Sequence, residues 1–142
     1  MKKLIILLFI SLSSCTQQSD PKQYLGKIGI TLADEYEIIE NNTSFAIGES
    51  LVEFKIKISD KDYSNIVKRI EGLEDYTEIE GDNLPPVNNG GAIDEASIVG
   101  WKWKINDVYF YEVSQPHPDG PGLEDYLVYL KPNNVLEFQC AE

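Results

Sequence analysis

The chain contains a single histidine, and it is the first place to look for chemistry. His117 lies between Pro116 and Pro118. An imidazole can act as a general base or as one metal ligand, and Asp119 is close enough in sequence to form a His–Asp pair. No serine has the glycine-flanked context of a nucleophile elbow, and Ser114, three residues before the histidine, is not evidence for a triad. The plain reading of His117 is a residue of a surface loop. Cys140 fails as a nucleophile for a different reason. It alternates with Leu136 and Phe138, next to Glu137 and no base. Burial and negative neighbours raise a thiol pKa, so it reads as a small buried hydrophobe.

Two other groups of residues are candidates for binding. Glu71, Glu74, Asp75, Glu78, Glu80 and Asp82 follow one another with no Lys or Arg among them. They could meet a basic protein surface or hold Ca²⁺. Calcium needs 6–8 converging oxygens, and neither the EF-hand spacing nor another ligand pattern is present, so no metal site is assigned. The plain reading is a solvated acidic loop. The second group is aromatic: Trp101, Trp103, Tyr109, Phe110 and Tyr111, with Tyr126 and Tyr129 shortly after. Alternation sends Tyr109 and Tyr111 to the face opposite Phe110. Rings therefore occupy both faces, one set packing under a helix and the other forming either a platform for sugar or protein or a cross-strand ladder. The binding candidates are thus Trp101, Trp103, Tyr109 and Tyr111, and Glu74, Asp75, Glu78, Glu80 and Asp82. No catalytic residue is assigned. Paired carboxylates for glycoside hydrolysis cannot be located by counting, because their spacing is a three-dimensional property.

The elements that must carry these residues are legible from periodicity. Residues 51–58 (LVEFKIKI) put Val52, Phe54, Ile56 and Ile58 on one face and charges on the other, the pattern of a half-buried antiparallel strand. Ser59 is a helix N-cap, Asp60 and Asp62 suit the first turn, and Tyr63, Ile66, Val67 and Ile70 form one apolar stripe up to Gly72. A helix is expected over about 60–71. Residues 101–113 predict a hairpin turning at Asn106-Asp107. Residues 126–131 and 135–140 predict two further strands around a Pro132-Asn133-Asn134 turn. Residues 36–41 predict a strand, 42–44 a turn, 114–125 a loop, and 27–31 a short strand weakened by glycine. Residues 74–100 show no period, apart from a short edge strand expected near Thr77. The resulting fold class is α+β: a mainly antiparallel sheet of about five to six strands in the order β-β-α-β-β-β, packed against one helix.

The N-terminus carries a signal of another kind. Lys2 and Lys3 precede an apolar run at residues 4–12, and Leu12-Ser13-Ser14-Cys15 closes it. The run is too short to cross roughly 30 Å of hydrocarbon, so it reads as a secretory leader. Its last four residues resemble the lipobox of bacterial lipoproteins. The resemblance implies a signal peptide over 1–14 that is removed, a diacylglycerol on Cys15, and the cell envelope as the destination. Thr16 after the cysteine resembles lipoproteins sent to the outer membrane, here to its periplasmic face. The general layout also resembles small lipoproteins of Gram-negative bacteria. Residues 15–23 are then the lipidated cysteine and a tether, which eight extended residues would carry at most roughly 28 Å, and 24–142 form one domain.

Charge narrows the partners. The full chain has a formal net charge of −12, and the leader holds two of its 12 basic residues. Such a balance argues against nucleic acid and against electrostatic binding to anionic headgroups. With Cys15 lipidated, Cys140 has no intrachain disulfide partner. No cofactor is implied. The function expected from sequence is a membrane-anchored, non-enzymatic module that binds an envelope protein or a glycan. The alternatives are an envelope inhibitor or immunity-type protein using its acidic surface, and a small envelope hydrolase centred on His117.

Overall fold

The computed structural model describes residues 18–46, 49–73, 76–78, 99–118, 120 and 122–141. The leader, Cys15, Glu74, Asp75, Glu80, Asp82 and Asp119 lie outside them. So do the side chains of Trp101 and Trp103, although their backbone is described. The elements run α1 (Pro21–Lys27), β1 (Glu37–Ala46), β2 (Glu49–Lys57), α2 (Asp60–Glu71), β3 (Thr77–Glu78), β4 (Val99–Ile105), β5 (Val108–Pro116), β6 (Leu123–Lys131) and β7 (Val135–Ala141). They form one sheet in the order β1-β2-β7-β6-β5-β4-β3. Six strands pair antiparallel, and the two-residue β3 adds a parallel edge beside β4. The α+β class with a mainly antiparallel sheet is therefore the fold of this chain.

Period-two burial makes the core. Val52, Phe54 and Ile56 of β2, Tyr109, Tyr111 and Val113 of β5, Tyr126, Val128 and Leu130 of β6, and Leu136, Phe138 and Cys140 of β7 are all buried. Leu25 of α1 and Ile66 and Ile70 of α2 join the same cluster, so both helices cover this one face. Phe138 is central: the Phe54 ring stacks on it at 4.5 Å, and Tyr24 and Tyr126 tilt against it at 5.9 and 6.2 Å. The opposite face is surfaced by paired side chains. Glu137 accepts from Lys55 at 3.0 Å and Lys131 at 2.5 Å, Gln139 donates to Glu53 at 3.0 Å, and Phe110 meets Tyr129 edge-on at 5.2 Å.

The turns follow local chemistry. Asn106 and Asp107 adopt φ of 49° and 64°, and Asn133 and Asn134 64° and 62°, the left-handed pairs that tight hairpins require. Ser59 Oγ accepts the N–H of Asp62 at 3.0 Å, as an N-cap should. Gly72 ends α2 at φ −80° rather than in the left-handed region. What the glycine supplies is space, since a Cβ there would come within 3.0 Å of the Lys68 carbonyl oxygen.

Several expectations need correction. A second helix, α1, begins within the last three residues assigned to the tether, 21–23, and runs on to Lys27. Asp20 caps it by accepting the Lys22 N–H at 3.0 Å, Pro21 stands at its first position, and Leu25 is buried. The folded part begins earlier still, because Ser19 and Asn41 exchange two hydrogen bonds at 2.7 and 2.8 Å. The strand expected at 27–31 is absent from the sheet. Ile28, Ile30 and Leu32 do alternate inward, but this segment is held by side chains of α2. Arg69 donates to the carbonyls of Gly29 (2.6 Å) and Ile28 (3.3 Å), and Asp62 accepts the N–H groups of Ala33 (2.9 Å) and Asp34 (3.0 Å). Gly29 adopts φ +72°, a left-handed conformation that strains residues carrying a Cβ, and a Cβ there would also displace the Arg69 guanidinium. The turn expected at 42–44 is strand, and the β1–β2 reversal falls between Ala46 and Glu49. The 114–125 loop is shorter than expected, since β5 runs to Pro116 and pairs with Leu123 of β6.

Candidate functional site

The apolar stripe of α2 is only partly buried. Ile66 and Ile70 are buried, while Tyr63 and Val67 lie at the rim of the core. The turn of the β4–β5 hairpin stands opposite this rim. Between them lies a groove of about 530 Å³, walled by Tyr63, Val67 and Glu71 of α2 and by Lys104, Asp107 and Tyr109 of the hairpin. This size is in the range of small-ligand sites.

At its base the Tyr109 hydroxyl donates to Glu71 Oε1 at 2.8 Å. Lys104 Nζ lies 5.2 Å from the Tyr109 ring centroid and 3.7 Å from the Asp107 carboxylate. Beyond α2, the Tyr76 hydroxyl donates to Glu78 at 3.1 Å. Burial pushes the Tyr109 phenol far above its ordinary value of 10.0, helped by the hydrogen bond to Glu71 and that carboxylate's charge. Tyr76 is pushed up to about 12 by burial, then by the bond to Glu78 and its charge. Burial also raises Tyr63, with the Asp107 charge adding to it. These phenols therefore keep their protons at neutral pH. The groove offers aromatic faces, carboxylate acceptors and two ammonium groups, a set suited to holding a guest.

The structure sorts the sequence candidates. Tyr109 and Tyr111 are 8% and 7% exposed and face the helices, so they form no exposed aromatic platform. Register separates them from the tryptophans. Trp101 pairs with Glu112 and Trp103 with Phe110, whereas Tyr111 and Tyr109 pair with Lys102 and Lys104. Tyr109 and Tyr111 thus hold different register positions from Trp101 and Trp103. Tyr109 instead joins the acidic stretch through Glu71, and Glu78 belongs to the same neighbourhood through Tyr76.

His117 has a neighbour that sequence reading missed. Its Nε2 lies 3.8 Å from Oε1 of Glu124, which is 3% exposed, and Lys27 Nζ is 4.0 Å from the other oxygen. The Tyr126 hydroxyl donates to Glu124 and accepts from Gln115 at 2.9 Å. The signal for Glu124 was its phase: it shares the inward period with Tyr126, Val128 and Leu130. At 3.8 Å the His117–Glu124 contact is longer than a hydrogen bond. The cluster ties the end of α1 to the β5–β6 connection.

Cys140 is fully buried, as its alternation implies. Among the described residues no group of three or more His, Cys, Asp or Glu is placed to hold a metal ion, and no helix is long and apolar enough to cross a membrane. The chain matches no family model, no curated protein and no solved structure.

Proposed function

We propose that this protein is a lipid-anchored module of the bacterial envelope that binds a partner, a protein or a glycan, in the groove between α2 and the β4–β5 hairpin, without acting on it chemically. The observation that carries this reading is the Tyr109–Glu71 hydrogen bond at the groove base. It joins Tyr109 of the aromatic hairpin to Glu71, the first acid of the acidic stretch, in one concave site. Aromatic walls with a few polar groups at fixed positions are how binding sites combine contact area with orientation. The leader that ends in Leu12-Ser13-Ser14-Cys15 supports a lipid anchor in the envelope, and Thr16 after the cysteine supports the periplasmic face of the outer membrane.

The test places a photo-crosslinking amino acid at Ser64, an exposed residue lining the groove, and separately at Lys57, an exposed residue of β2. Both are expressed in the producing bacterium, and adducts are identified by mass spectrometry. A specific adduct from position 64 and none from position 57 is the expected result. Equal labelling from both, or labelling from position 57 alone, sinks the reading.

A further inference from the structure

β1 is a ten-residue strand at the edge of the sheet, and among the described residues nothing pairs with its outer side. The opposite edge ends in the two-residue β3. Long edges present a row of N–H and C=O groups and are ordinarily blunted by Lys, Pro, bulges or shortness; the one irregularity of β1, at Ile39, leaves the run from Glu40 to Ala46 in regular register. The sequence of β1, EIIENNTSFA, has neither Lys nor Pro. It also exposes apolar side chains, Ile38 at 47% and Phe45 at 72%.

We infer that β1 pairs with β1 of a second copy, antiparallel about a two-fold axis through Asn42, to make one continuous sheet. The register follows from the faces. Ile38 lies across from Ile56, Asn41 from Phe54, Thr43 from Val52 and Phe45 from Ser50, so these four point to the helix-covered side. Glu40, Asn42 and Ser44, across from Lys55, Glu53 and Leu51, point to the other. Opposed residues of a continuous sheet must share a face. An axis through Asn42 meets this condition. It sets Asn42 against Asn42, Asn41 against Thr43 and Glu40 against Ser44.

Beyond Glu40 the register shift at Ile39 brings Ile38 opposite Phe45 and Glu37 opposite Ala46. The two most exposed apolar groups of the strand then cover each other twice, and each carboxylate meets a neutral residue. An axis through Asn41 instead sets Ile38 against Thr43 and carries Phe45 past the end of the partner's β1, which begins at Glu37. Two like-charged copies repel at long range, but at physiological salt this is screened beyond roughly 8 Å.

The experiment is cysteine crosslinking of the full-length, membrane-anchored protein in isolated envelopes. Opposed antiparallel residues have Cα atoms about 4.5–5.5 Å apart, within disulfide reach. Asn42→Cys should yield a disulfide dimer of twice the protein's mass on mild oxidation. The unsubstituted chain, with Cys15 and Cys140, should not, and neither should Ser44→Cys alone. Glu40→Cys and Ser44→Cys expressed together should crosslink to each other. Adding Phe45→Lys to Asn42→Cys should lower the dimer yield about tenfold. A monomeric Asn42→Cys, equally efficient crosslinking by Ser44→Cys alone, or an adduct containing a different protein overturns the inference.

Discussion

Replacing Asp62 should loosen the whole helix-covered face, and the size of the effect can be worked from its bonds. Asp62 is 1% exposed and sits in the first turn of α2, where it accepts the N–H groups of Ala33 and Asp34. Hydrogen bonds to a charged acceptor contribute about 1.5–3 kcal/mol each, and water recovers part of that where the donors are near the surface. Asp62→Ala strands both donors and should cost about 2–4 kcal/mol. Asp62→Asn keeps one acceptor and turns an amide N–H toward the other donor, for about 1–3 kcal/mol. For a domain of this size, Asp62→Ala should lower Tm by roughly 6–15 °C.

The effect depends on pH in a defined direction. Burial alone would raise the Asp62 pKa, but the backbone N–H groups of Ala33 and Asp34 outweigh it and hold the carboxyl below its ordinary 3.8. The stabilisation is therefore complete above the unfolded value and is lost as pH falls through the lower folded one. Urea denaturation of wild type and Asp62→Asn at neutral pH and near pH 3 should show a gap that narrows on acidification. A gap below about 0.5 kcal/mol at neutral pH, or one that widens in acid, would refute the assignment of Asp62 as the clamp on residues 33–34.

Ile66→Asp sets an unpaired carboxylate into the core and should cost about 3–5 kcal/mol, whereas Lys68→Asp on the exposed side should cost under about 1 kcal/mol; equal thermal shifts would contradict the assigned face of α2. Tyr109, Tyr126 and Tyr76 all have phenols raised by burial and then by a carboxylate neighbour. The stability they confer is present below the ordinary value of 10 and is lost as pH rises toward their folded values, so tyrosinate absorbance and loss of far-ultraviolet dichroism should rise together above pH 10. Tyrosines that all ionise near 10 in a chain that stays folded would contradict their burial. Cys15→Ser should move the protein from the detergent phase to the aqueous phase on temperature-induced partitioning. Retention in detergent would remove the lipid anchor from the proposal.

How much of this was legible depends on whether a residue's role is local. Period two in β2, the Ser59 cap and the two hairpin turns depend on neighbours in sequence, and all were readable. The helix α1 was announced by Asp20-Pro21, but only Leu25 is a buried aliphatic within it, too little for a periodic signal. Residues 28–32 do alternate, yet the carbonyls of Ile28 and Gly29 are held by Arg69, and the N–H groups of Ala33 and Asp34 just beyond them by Asp62, some 30–40 positions away, which no local pattern records. The site shows the same division. Tyr109 and the acids were visible as types, while their meeting required α2 to dock with Glu71 above the hairpin. Glu124 was overlooked because an acid in phase with a buried face is read as loop when Pro and Gly precede it.

The reciprocal bonds between Ser19 and Asn41 also constrain how the domain moves. Only three residues lie between Cys15 and Ser19, four steps along the chain and a leash of at most about 14 Å. Ser19 is fastened to the middle of β1, not to a flexible end of the fold. With the lipid on Cys15 as proposed, the domain has little freedom to tumble, and the sheet edge that carries Asn41 is held close to the headgroups. Encounters between anchored copies then become a search in two dimensions with restricted tilt. Affinity measured for a domain cut free of its lipid would understate how often two such edges meet on a membrane.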